Sequence, residues 1–219
     1  MRIALLGPPG AGKGSLAALC TQRLGVEHVS TGEIFRLEMA RHSALGRRVQ
    51  RFVTGGKLVP DTLVVQVMAK RLSRSLASRG FVLDGFPRTV GQARGLDAVM
   101  RRMRRPLDGA VYLTAPEAVL VRRLSGRRVC SRCGANFHVR TMRPKRSGHC
   151  DRCQGGLAIR QDDRPATIKR RLRIDRATAS PLLRYYQQRT TLHRVNGTGP
   201  LERVFQRIRA LCQRQGWLG

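Results

Sequence analysis

Short apolar runs alternate along the chain with longer segments in which apolar residues recur at helical spacing. The runs predicted to be strands are residues 3–6, 27–30, 81–84, 110–114 and 193–196. After the first of them, Leu16, Cys20 and Leu24 recur every four residues, as on one face of an amphipathic helix. Alternation of strands and helices is typical of a parallel sheet with helices on both faces. The pattern therefore predicts an α/β protein with three layers around a five-stranded parallel sheet.

Helix starts and interruptions follow from individual polar residues and prolines. Thr31 can cap a helical segment over residues 31–59, and Asp61 can cap the helix after it. A long helix is predicted from near Pro165, and Pro181 inside it predicts a kink.

A glycine-rich loop separates the first strand from the first helix. It consists of Gly7-Pro8-Pro9-Gly10-Ala11-Gly12-Lys13-Gly14-Ser15. Glycines let backbone N–H groups turn inward, and the N-terminus of the following helix adds partial positive charge. Lys13 supplies a mobile charge, and Ser15 a hydroxyl able to reach a magnesium ion. The loop predicts a cradle for nucleotide phosphates; the alternative is an ordinary glycine-rich turn.

The helical pattern is lost between about residues 127 and 163, where cysteine, glycine and arginine cluster. Four of the six cysteines, Cys130, Cys133, Cys150 and Cys153, have the spacing C-x2-C-x16-C-x2-C. That spacing is typical of a zinc site, and four thiolates with no open position indicate a structural ion. The alternatives are two redox pairs, incidental cysteines, or iron in place of zinc. A bound metal would stabilise a module too small for a hydrophobic core.

Several arginines are informative by their position. Arg88 follows a predicted strand, where ligands of open α/β sheets bind. Arg123 and Arg127 flank the start of the cysteine module, and Arg160 and Arg171 flank its end. Charges at both ends of a movable flap could close over a triphosphate. The alternative for any one of them is a solvated surface position.

The net charge is unusually positive. Forty-three Lys and Arg residues against 13 Asp and Glu give a formal charge of +30. Such an excess attracts polyanions non-specifically at low salt, and a nucleic-acid role is one interpretation. The favoured alternative is a coding bias toward arginine on solvated faces, because no aromatic stripe for stacking bases accompanies the charge.

Apolar runs are far shorter than the ~20 residues of a membrane helix, and Pro8-Pro9-Gly10 interrupts any signal-peptide-like region. We therefore expect a cytosolic protein without a membrane partner.

Several motifs in order resemble those of adenylate kinases, in the nucleoside monophosphate kinase family, of the bacterial type with a long zinc-binding lid. Beyond Gly7–Ser15 they are Ser30–Arg36, Gly56–Asp61, Leu83–Thr89 with Gln92, Gly126–Arg128, Arg160–Asp163, Arg171 and Asn196–Thr198. The loop variant with Gly14 between Lys13 and Ser15 is similar to that of the same kinases. The resemblance covers almost the whole chain.

The resemblance implies a P-loop fold and the reaction ATP + AMP = 2 ADP with magnesium, in a monomer with no specific protein partner. The implied ATP site consists of Gly10, Ala11, Gly12, Lys13, Gly14, Ser15, Arg123, Arg127 and Gly199. The implied AMP site consists of Thr31, Arg36, Lys57, Val59, Gly85, Arg88, Gln92, Arg160 and Arg171. The implied catalytic residues are Lys13, Asp84, Arg88, Arg123, Arg127, Arg160 and Arg171, with Asp84 holding hydrated magnesium.

The resemblance also implies three functional units. Residues 1–29, 60–125 and 164–219 would form the core, residues 30–59 a flap for the nucleoside monophosphate, and residues 126–163 the zinc-binding lid. Two rival functions remain. One is a kinase for another nucleoside monophosphate, and the other is an arginine-rich zinc-ribbon nucleic-acid-binding protein on a degenerate kinase core.

The chain departs from the family pattern at a few positions. Glu33 stands where Asp is usual, Ser15 where Thr is usual, and Asn196 where Asp is frequent. Residues 164–166 lack the acidic residue that commonly follows Asp163, which weakens the expected acidic partner of the lid. These changes are conservative or peripheral and leave the expected reaction in place.

Overall fold

A parallel sheet organises the protein, for which a computed structural model describes residues 1–74, 80–189 and 191–218. Its strands are β1 (Arg2–Leu6), β2 (Glu27–Ser30), β3 (Phe81–Asp84), β4 (Gly109–Thr114) and β8 (Leu192–Asn196). They lie in the order β2-β3-β1-β4-β8, and every neighbouring pair is parallel. The predicted strands and their parallel arrangement are confirmed, with boundaries within one residue.

Helices cover both faces of this sheet. They are α1 (Lys13–Leu24), α2 (Thr31–Ala40), α3 (Ala44–Thr54), α4 (Asp61–Arg74), α5 (Val90–Arg102), α6 (Glu117–Ser125), α7 (Pro165–Gln187) and α8 (Leu201–Arg214). The long helix α7 continues through Pro181. Within the described residues, no helix combines the length and the apolar character needed to cross a bilayer.

Two apolar cores lie on opposite faces of the sheet, because successive side chains of a strand point to opposite sides. Ala4 and Leu6 of β1 belong to the core that includes Met68 of α4, Leu96 of α5 and Tyr186 of α7. Ile3 and Leu5 belong to the other core. It includes Leu16 of α1, Leu124 of α6 and Ile208 of α8. Burial on both faces explains why β1 is apolar throughout.

The start of α2 corrects one prediction. Ser30, not Thr31, caps this helix, and its side chain accepts a hydrogen bond from the N–H of Glu33 at 3.4 Å. Thr31 is already helical, so its hydroxyl is available for a tertiary contact and donates to the carbonyl of Gly85 at 3.0 Å.

Asp61 is the first residue of α4, and its carboxylate accepts hydrogen bonds from Thr89 and Gln92 at the start of α5.

A second, antiparallel sheet forms where the helical pattern is lost. Its strands β5 (Arg127–Cys130), β6 (Asn136–His138) and β7 (Leu157–Ala158) lie in the order β6-β5-β7. Only a few apolar side chains, among them Ala135 and Phe137, pack beside the cysteines. A single 3₁₀ turn over Gln161–Asp163 then leads into α7. The predicted inserted module is thus a small three-stranded unit.

Candidate functional site

The glycine-rich loop connects β1 to α1 at the carboxyl end of the sheet. Gly10 and Gly12 have φ angles of +85° and +96°, and a Cβ on Gly10 would lie 2.8 Å from the carbonyl oxygen of Leu120. Only glycine fits such a conformation and such a close approach. The Lys13 ammonium donates to the carbonyls of Gly7 and Pro8 at 2.6 and 2.9 Å. Burial lowers the pKa of Lys13 to about 8.

A cavity of about 940 Å³ opens above this loop. Every residue of the predicted ATP site lines it, as do the predicted catalytic residues Asp84, Arg88, Arg160 and Arg171. We call it the larger cavity. Six segments therefore bring cations to one chamber: the loop, α2, the end of β3, the α6–β5 junction, the segment after β6 and the β7–α7 region.

A smaller cavity of about 80 Å³ lies beside the larger one. Its walls include eight of the nine residues predicted for AMP: Thr31, Arg36, Lys57, Val59, Gly85, Arg88, Gln92 and Arg171. The ninth, Arg160, lines the larger cavity instead. Arg36, Arg88 and Arg171 line both, so the two cavities share a wall of guanidinium groups.

The amide of Gln92 is held in one orientation at the smaller cavity. Its side chain is almost fully buried, and its Oε1 accepts from the backbone N–H of Arg88 at 2.8 Å. Its Nε2 donates to the carboxylate of Asp61 at 2.8 Å. The hydroxyl of Thr89 also donates to Asp61, at 2.6 Å. Asp61 therefore fixes the amide, and this role could not be read from the motif.

Two adjacent aspartates hold the arginines at the base of the cysteine module. Asp163 accepts from Arg127 Nε at 2.7 Å and Nη2 at 2.5 Å, and from Arg171 Nη1 at 3.0 Å. Asp162 lies 3.0 Å from the same Arg171 nitrogen. The sequence analysis expected a weakened acidic partner for the lid, because residues 164–166 lack an acidic residue. In the structure the carboxylates of Asp162 and Asp163 pair with the arginines at the base of the lid. They also fix the direction of both guanidinium groups.

Arg160 has no carboxylate within ion-pair distance among the described residues. Its Nη2 donates to the Asn136 amide at 2.8 Å, and its Nε is buried without a hydrogen-bond partner in the described part of the chain. Burial, with repulsion from Arg36 and Arg127, lowers the pKa of Arg160 to about 9. A buried guanidinium with a free N–H group and no carboxylate beside it favours binding of an anion. The geometry of phosphate oxygens matches the paired N–H groups of a guanidinium.

Asp84 ends β3 directly behind the loop. A Cβ on Gly14 would lie 3.2 Å from its Oδ2, and His28 Nε2 lies 3.4 Å from the same oxygen. Burial raises the pKa of Asp84, but the His28 hydrogen bond and the charge of Lys13 outweigh it and hold that pKa below its usual value. Asp84 is therefore ionised at neutral pH. An ionised carboxylate and the Ser15 hydroxyl, which line the same cavity, fit a hydrated magnesium ion.

The roof of the larger cavity was missed by the sequence analysis. It is formed by residues Asn136, Phe137, His138, Arg140, Thr141 and Met142, which we call the roof segment. An aromatic and a thioether side chain facing a phosphate-binding chamber suit a nucleotide base. The only local signal was apolar residues in a module without helical periodicity.

His138 fastens the roof segment to α6. Its Nδ1 accepts from the backbone N–H groups of Arg140 and Thr141 at 3.1 and 3.2 Å. Because Nδ1 accepts, Nε2 carries the hydrogen and donates to the carbonyl of Arg122 at 3.3 Å. The ring lies against Gly126, where a Cβ would come within 2.3 Å of Nε2. This ring therefore spans the junction between the core and the cysteine module.

The four cysteines converge as predicted. The Sγ atoms of Cys130, Cys133, Cys150 and Cys153 all lie within 4.8 Å of one another. The separations Cys130–Cys153 and Cys133–Cys150 are 3.4 and 3.5 Å. Four sulfurs around zinc at about 2.3 Å would be spaced at about 3.8 Å, so this set fits a tetrahedral ion. Backbone N–H groups of Cys133 and Arg152 point to two of the sulfurs, as is usual around such sites.

Comparison with known proteins agrees with this geometry. The family model described as adenylate kinase matches residues 5–191. The chain belongs to the adenylate kinase family. Among its curated relatives, the adenylate kinase of Treponema pallidum is 47% identical over 204 residues, which cover 93% of this chain and 94% of that protein. The adenylate kinases of Clostridium botulinum and Kosmotoga olearia are 42% and 41% identical over 208 residues, covering 95% of this chain and 96% and 97% of theirs.

Membership of the adenylate kinase family confirms the predicted fold and enzyme class, a nucleoside monophosphate kinase that transfers a phosphoryl group. It disfavours the rival in which the kinase core is degenerate and the protein serves only to bind nucleic acid. Lys13, Arg88, Arg127, Arg160 and Arg171, the residues such a degenerate core would be expected to lose, all line the larger cavity.

Proposed function

We propose that the protein catalyses the reversible reaction ATP + AMP = 2 ADP, with ATP in the larger cavity and AMP at the smaller one. The smaller cavity, at about 80 Å³, would have to widen by movement of residues 30–59 to admit AMP. The observation that carries this proposal is the wall of Arg36, Arg88 and Arg171 that both cavities share. Two phosphate-bearing ligands that approach such a wall from opposite sides would meet end to end. In-line transfer between them needs that arrangement.

The ATP site would bind the phosphates on the loop Gly10–Ser15, with Lys13 as the mobile charge. Arg123 supports the same site: its Nη1 donates to the carbonyl of Gly197 at 3.0 Å, and its Nη2 lies 3.4 Å from that of Gly199. These contacts place a guanidinium between the loop and the segment before α8. The adenine would lie toward the roof segment, against Phe137 and Met142.

The AMP site would bind the base beside Gln92, whose fixed amide can pair with the edge of adenine. Arg36 and Arg88 would bind the phosphate. Arg88 Nε already donates to the carbonyl of Gly85 at 2.9 Å, which turns the rest of the guanidinium toward the shared wall. Lys57, Val59 and the Thr31 segment would complete the site.

Transfer itself needs alignment and dispersal of charge on oxygen more than acid–base chemistry. The phosphoryl group in transfer would be surrounded by three guanidinium groups. Two of them, those of Arg127 and Arg171, are oriented by Asp163, and the third, that of Arg160, has no ion pair with a described residue. The Lys13 ammonium would follow the phosphoryl group as it moves. Magnesium, held through water by Asp84 and near Ser15, would neutralise charge on the ATP phosphates. Arg160 would release its contact with Asn136 for a phosphate oxygen.

Three units would move relative to one another during turnover. Residues 1–29, 60–125 and 164–219 would form the core, residues 30–59 the AMP flap and residues 126–163 the ATP lid. In the present arrangement Arg170 Nη1 donates to the carbonyl of Gly55 at 3.0 Å and joins flap to core, a contact that opening of the flap would break. Closure would exclude water that otherwise hydrolyses ATP. Zinc on the four cysteines would stabilise the lid.

The decisive experiment is a coupled assay of ADP formation from ATP with AMP, GMP, CMP or UMP as acceptor. We expect AMP to be preferred by at least an order of magnitude, because the Gln92 amide is fixed toward one base edge. The Gln92→Leu variant should lose this preference while keeping the loop-dependent binding of ATP. Higher activity with CMP or UMP than with AMP would overturn the proposal in favour of another monophosphate kinase.

A monomer in the cytoplasm fits the same proposal. Four thiolates that bind a metal rather than pair as disulfides suit a reducing compartment. Size-exclusion chromatography with light scattering should give one chain per particle.

A further inference from the structure

Four basic side chains surround the cysteine cluster at the tip of the lid. They are Arg132, Lys145, Arg146 and Arg152, and all are exposed. We call them the tip patch. None of them lines either nucleotide cavity. The proposed reaction therefore gives them no role.

One side-chain contact and three backbone contacts connect these residues to the second cysteine turn, residues 150–156, and to His149 just before it. Arg132 Nη1 lies 3.4 Å from the carbonyl of Cys153, and Arg152 sits inside the turn. The backbone N–H of Lys145 donates to Asp151 at 2.8 Å, and the carbonyl of Arg146 accepts from the N–H of His149 at 3.1 Å. The backbone that carries the patch is thus hydrogen-bonded to the metal-binding turn.

The two cysteine turns present arginine in the same position. They have the sequences Cys130-Ser131-Arg132-Cys133 and Cys150-Asp151-Arg152-Cys153, with arginine directly before the second cysteine of each. Because both turns wrap the same four-sulfur cluster, Arg132 and Arg152 are displayed from one rigid centre. The backbone positions of these two arginines are therefore set by the cluster.

No carboxylate neutralises the patch. None of its four side chains forms an ion pair with any residue in the described ranges. The one nearby acid, Asp151, accepts from a backbone N–H. Other exposed arginines, such as Arg101 and Arg203, also form no ion pair with a described residue, so what distinguishes the patch is that four such charges cluster on one small module. The unneutralised charges of this surface and the formal net charge of +30 both favour binding of a polyanion.

The neighbours of the patch narrow the class of polyanion. Ser131, Ser147 and Asp151 are exposed and polar, and the exposed large apolar residues of the lid, Val139, Met142 and Ile159, lie outside residues 143–156. That range has no Phe, Tyr or Trp, and its one ring, that of the half-buried His149, is held by a hydrogen bond from Nδ1 to the carbonyl of Ser147 at 3.0 Å. Fixed charges without apolar or aromatic companions suit a phosphodiester backbone read without regard to sequence.

We propose that the tip patch binds the phosphate backbone of double-stranded nucleic acid, as an activity additional to the kinase reaction. The nucleotide cavities lie under the lid and the patch lies at its cysteine tip, so both activities can coexist on one chain. The proposal does not depend on which monophosphate the enzyme uses. It assigns a role to four of the positive charges that do not line either nucleotide cavity.

Lysine footprinting tests the location without any substitution. Trace acetylation of the metal-loaded wild-type protein, read by mass spectrometry, should slow at Lys145 when duplex DNA or duplex RNA is added. Lys70 on α4 is also exposed and serves as the internal control. Protection of Lys145 with unchanged labelling of Lys70 supports the proposal. Equal protection of both lysines, or none at Lys145, overturns it.

Two variants with the same charge change then separate the patch from net charge. In the patch variant, Arg132, Lys145, Arg146 and Arg152 are replaced by Gln; in the control, Arg101, Arg102, Arg203 and Arg209 on α5 and α8 are replaced. The slope of log K against log salt concentration falls in magnitude by about one for each lost phosphate contact. We therefore expect this slope to fall by about 3–4 in the patch variant and to stay almost unchanged in the control variant. Equal losses in the two variants contradict a localised site.

Three further readouts guard the interpretation. Both variants should retain bound metal, and their ADP-forming activity should match wild type, which shows that the lid still folds. Excess ADP should leave duplex binding unchanged; displacement would place the nucleic acid in the kinase cavity and refute the patch. Tighter patch-dependent binding to anionic lipid vesicles than to duplexes would also refute it.

Discussion

Replacing Asp163 by Asn should destabilise the protein more than any comparable change at its surface. The Asp163 side chain is 0% exposed and binds Arg127 through two hydrogen bonds and Arg171 through a third. Asn has nearly the same size, but it is neutral, and one of its two polar atoms donates. The substitution leaves two guanidinium groups without their shared counter-charge and turns an N–H toward them.

The magnitude follows from burial. Breaking a buried ion pair by removing one partner costs about 3–5 kcal/mol. The side chains of Arg127 and Arg171 retain 22% and 13% exposure, which permits some hydration, so we take the lower end, about 3 kcal/mol. For a chain of this length that corresponds to a fall in melting temperature of about 6–12 °C. The matched control is Glu117→Gln, which breaks the pair with Arg176 at 54% and 66% exposure and should cost below about 0.5 kcal/mol.

Thermal melts with and without saturating ADP make the reasoning refutable. Phosphates can replace the lost negative charge at Arg127 and Arg171, so ADP should raise the melting temperature of the Asp163→Asn variant more than that of wild type. The variant's kcat should fall as well, because the guanidinium groups lose their fixed direction. If the Asp163→Asn and Glu117→Gln variants melt alike, or ADP raises both melting temperatures equally, the network does not hold these arginines as described.

Lys13→Ala should lower kcat by roughly 10²–10³ with little change in melting temperature, and near-wild-type rates would refute its role. Because the pKa of Lys13 is about 8 in the free protein, kcat/KM should fall as pH rises through 8, a fall that Lys13→Arg should abolish. Bound phosphates favour the charged amine, so in kcat the same fall should occur at higher pH. In His138→Asn the amide oxygen lies near the position of Nδ1 and can still accept from the roof segment, whereas in His138→Gln the amide NH2 lies near the position of Nε2 and can still donate to the carbonyl of Arg122. The KM for ATP should therefore rise more in the Gln variant, and the reverse order would contradict the role of Nδ1. Chelation or Cys150→Ala should lower the melting temperature far more than the initial rate at room temperature, and unchanged stability would argue against a structural metal.

The three central strands could be predicted closely because they are buried on both faces. Residues 3–6 and 81–83 are short apolar runs, each followed within two residues by a glycine, and runs of this length are typical of buried strands. The cap of α2 was predicted wrongly for a local reason. Ser30 and Thr31 both carry hydroxyls, and which of them caps depends on where the backbone leaves the extended region. Ser30 has φ −112° and ψ 117°, so it is the last extended residue.

The candidate site was only partly accessible from sequence. The loop, Asp84 and Arg88 lie at strand ends, which a parallel sheet necessarily places along one edge. The orienting roles of Asp61 and His138 depend instead on contacts with residues distant in the chain or in the turn of a small module. No periodicity or spacing reports such contacts. The role of Asp163 could not be predicted either, because it depends on the hydrogen bonds that Asp163 forms with both Arg127 and Arg171.

The arrangement of carboxylates explains how one chamber can hold so many cations before any phosphate arrives. Asp163 and Asp162 neutralise Arg127 and Arg171 on the lid side, while Asp84 lies near Lys13 beneath the loop. Arg160, whose Nη2 donates to the Asn136 amide, forms no ion pair with a described residue, and the same is true of Arg36, Arg88 and Arg123. Phosphate oxygens can therefore reach these four arginines without breaking an ion pair. Arg127 and Arg171 then contribute as fixed donors that need no reorientation, which is the condition under which charge stabilisation lowers a barrier most.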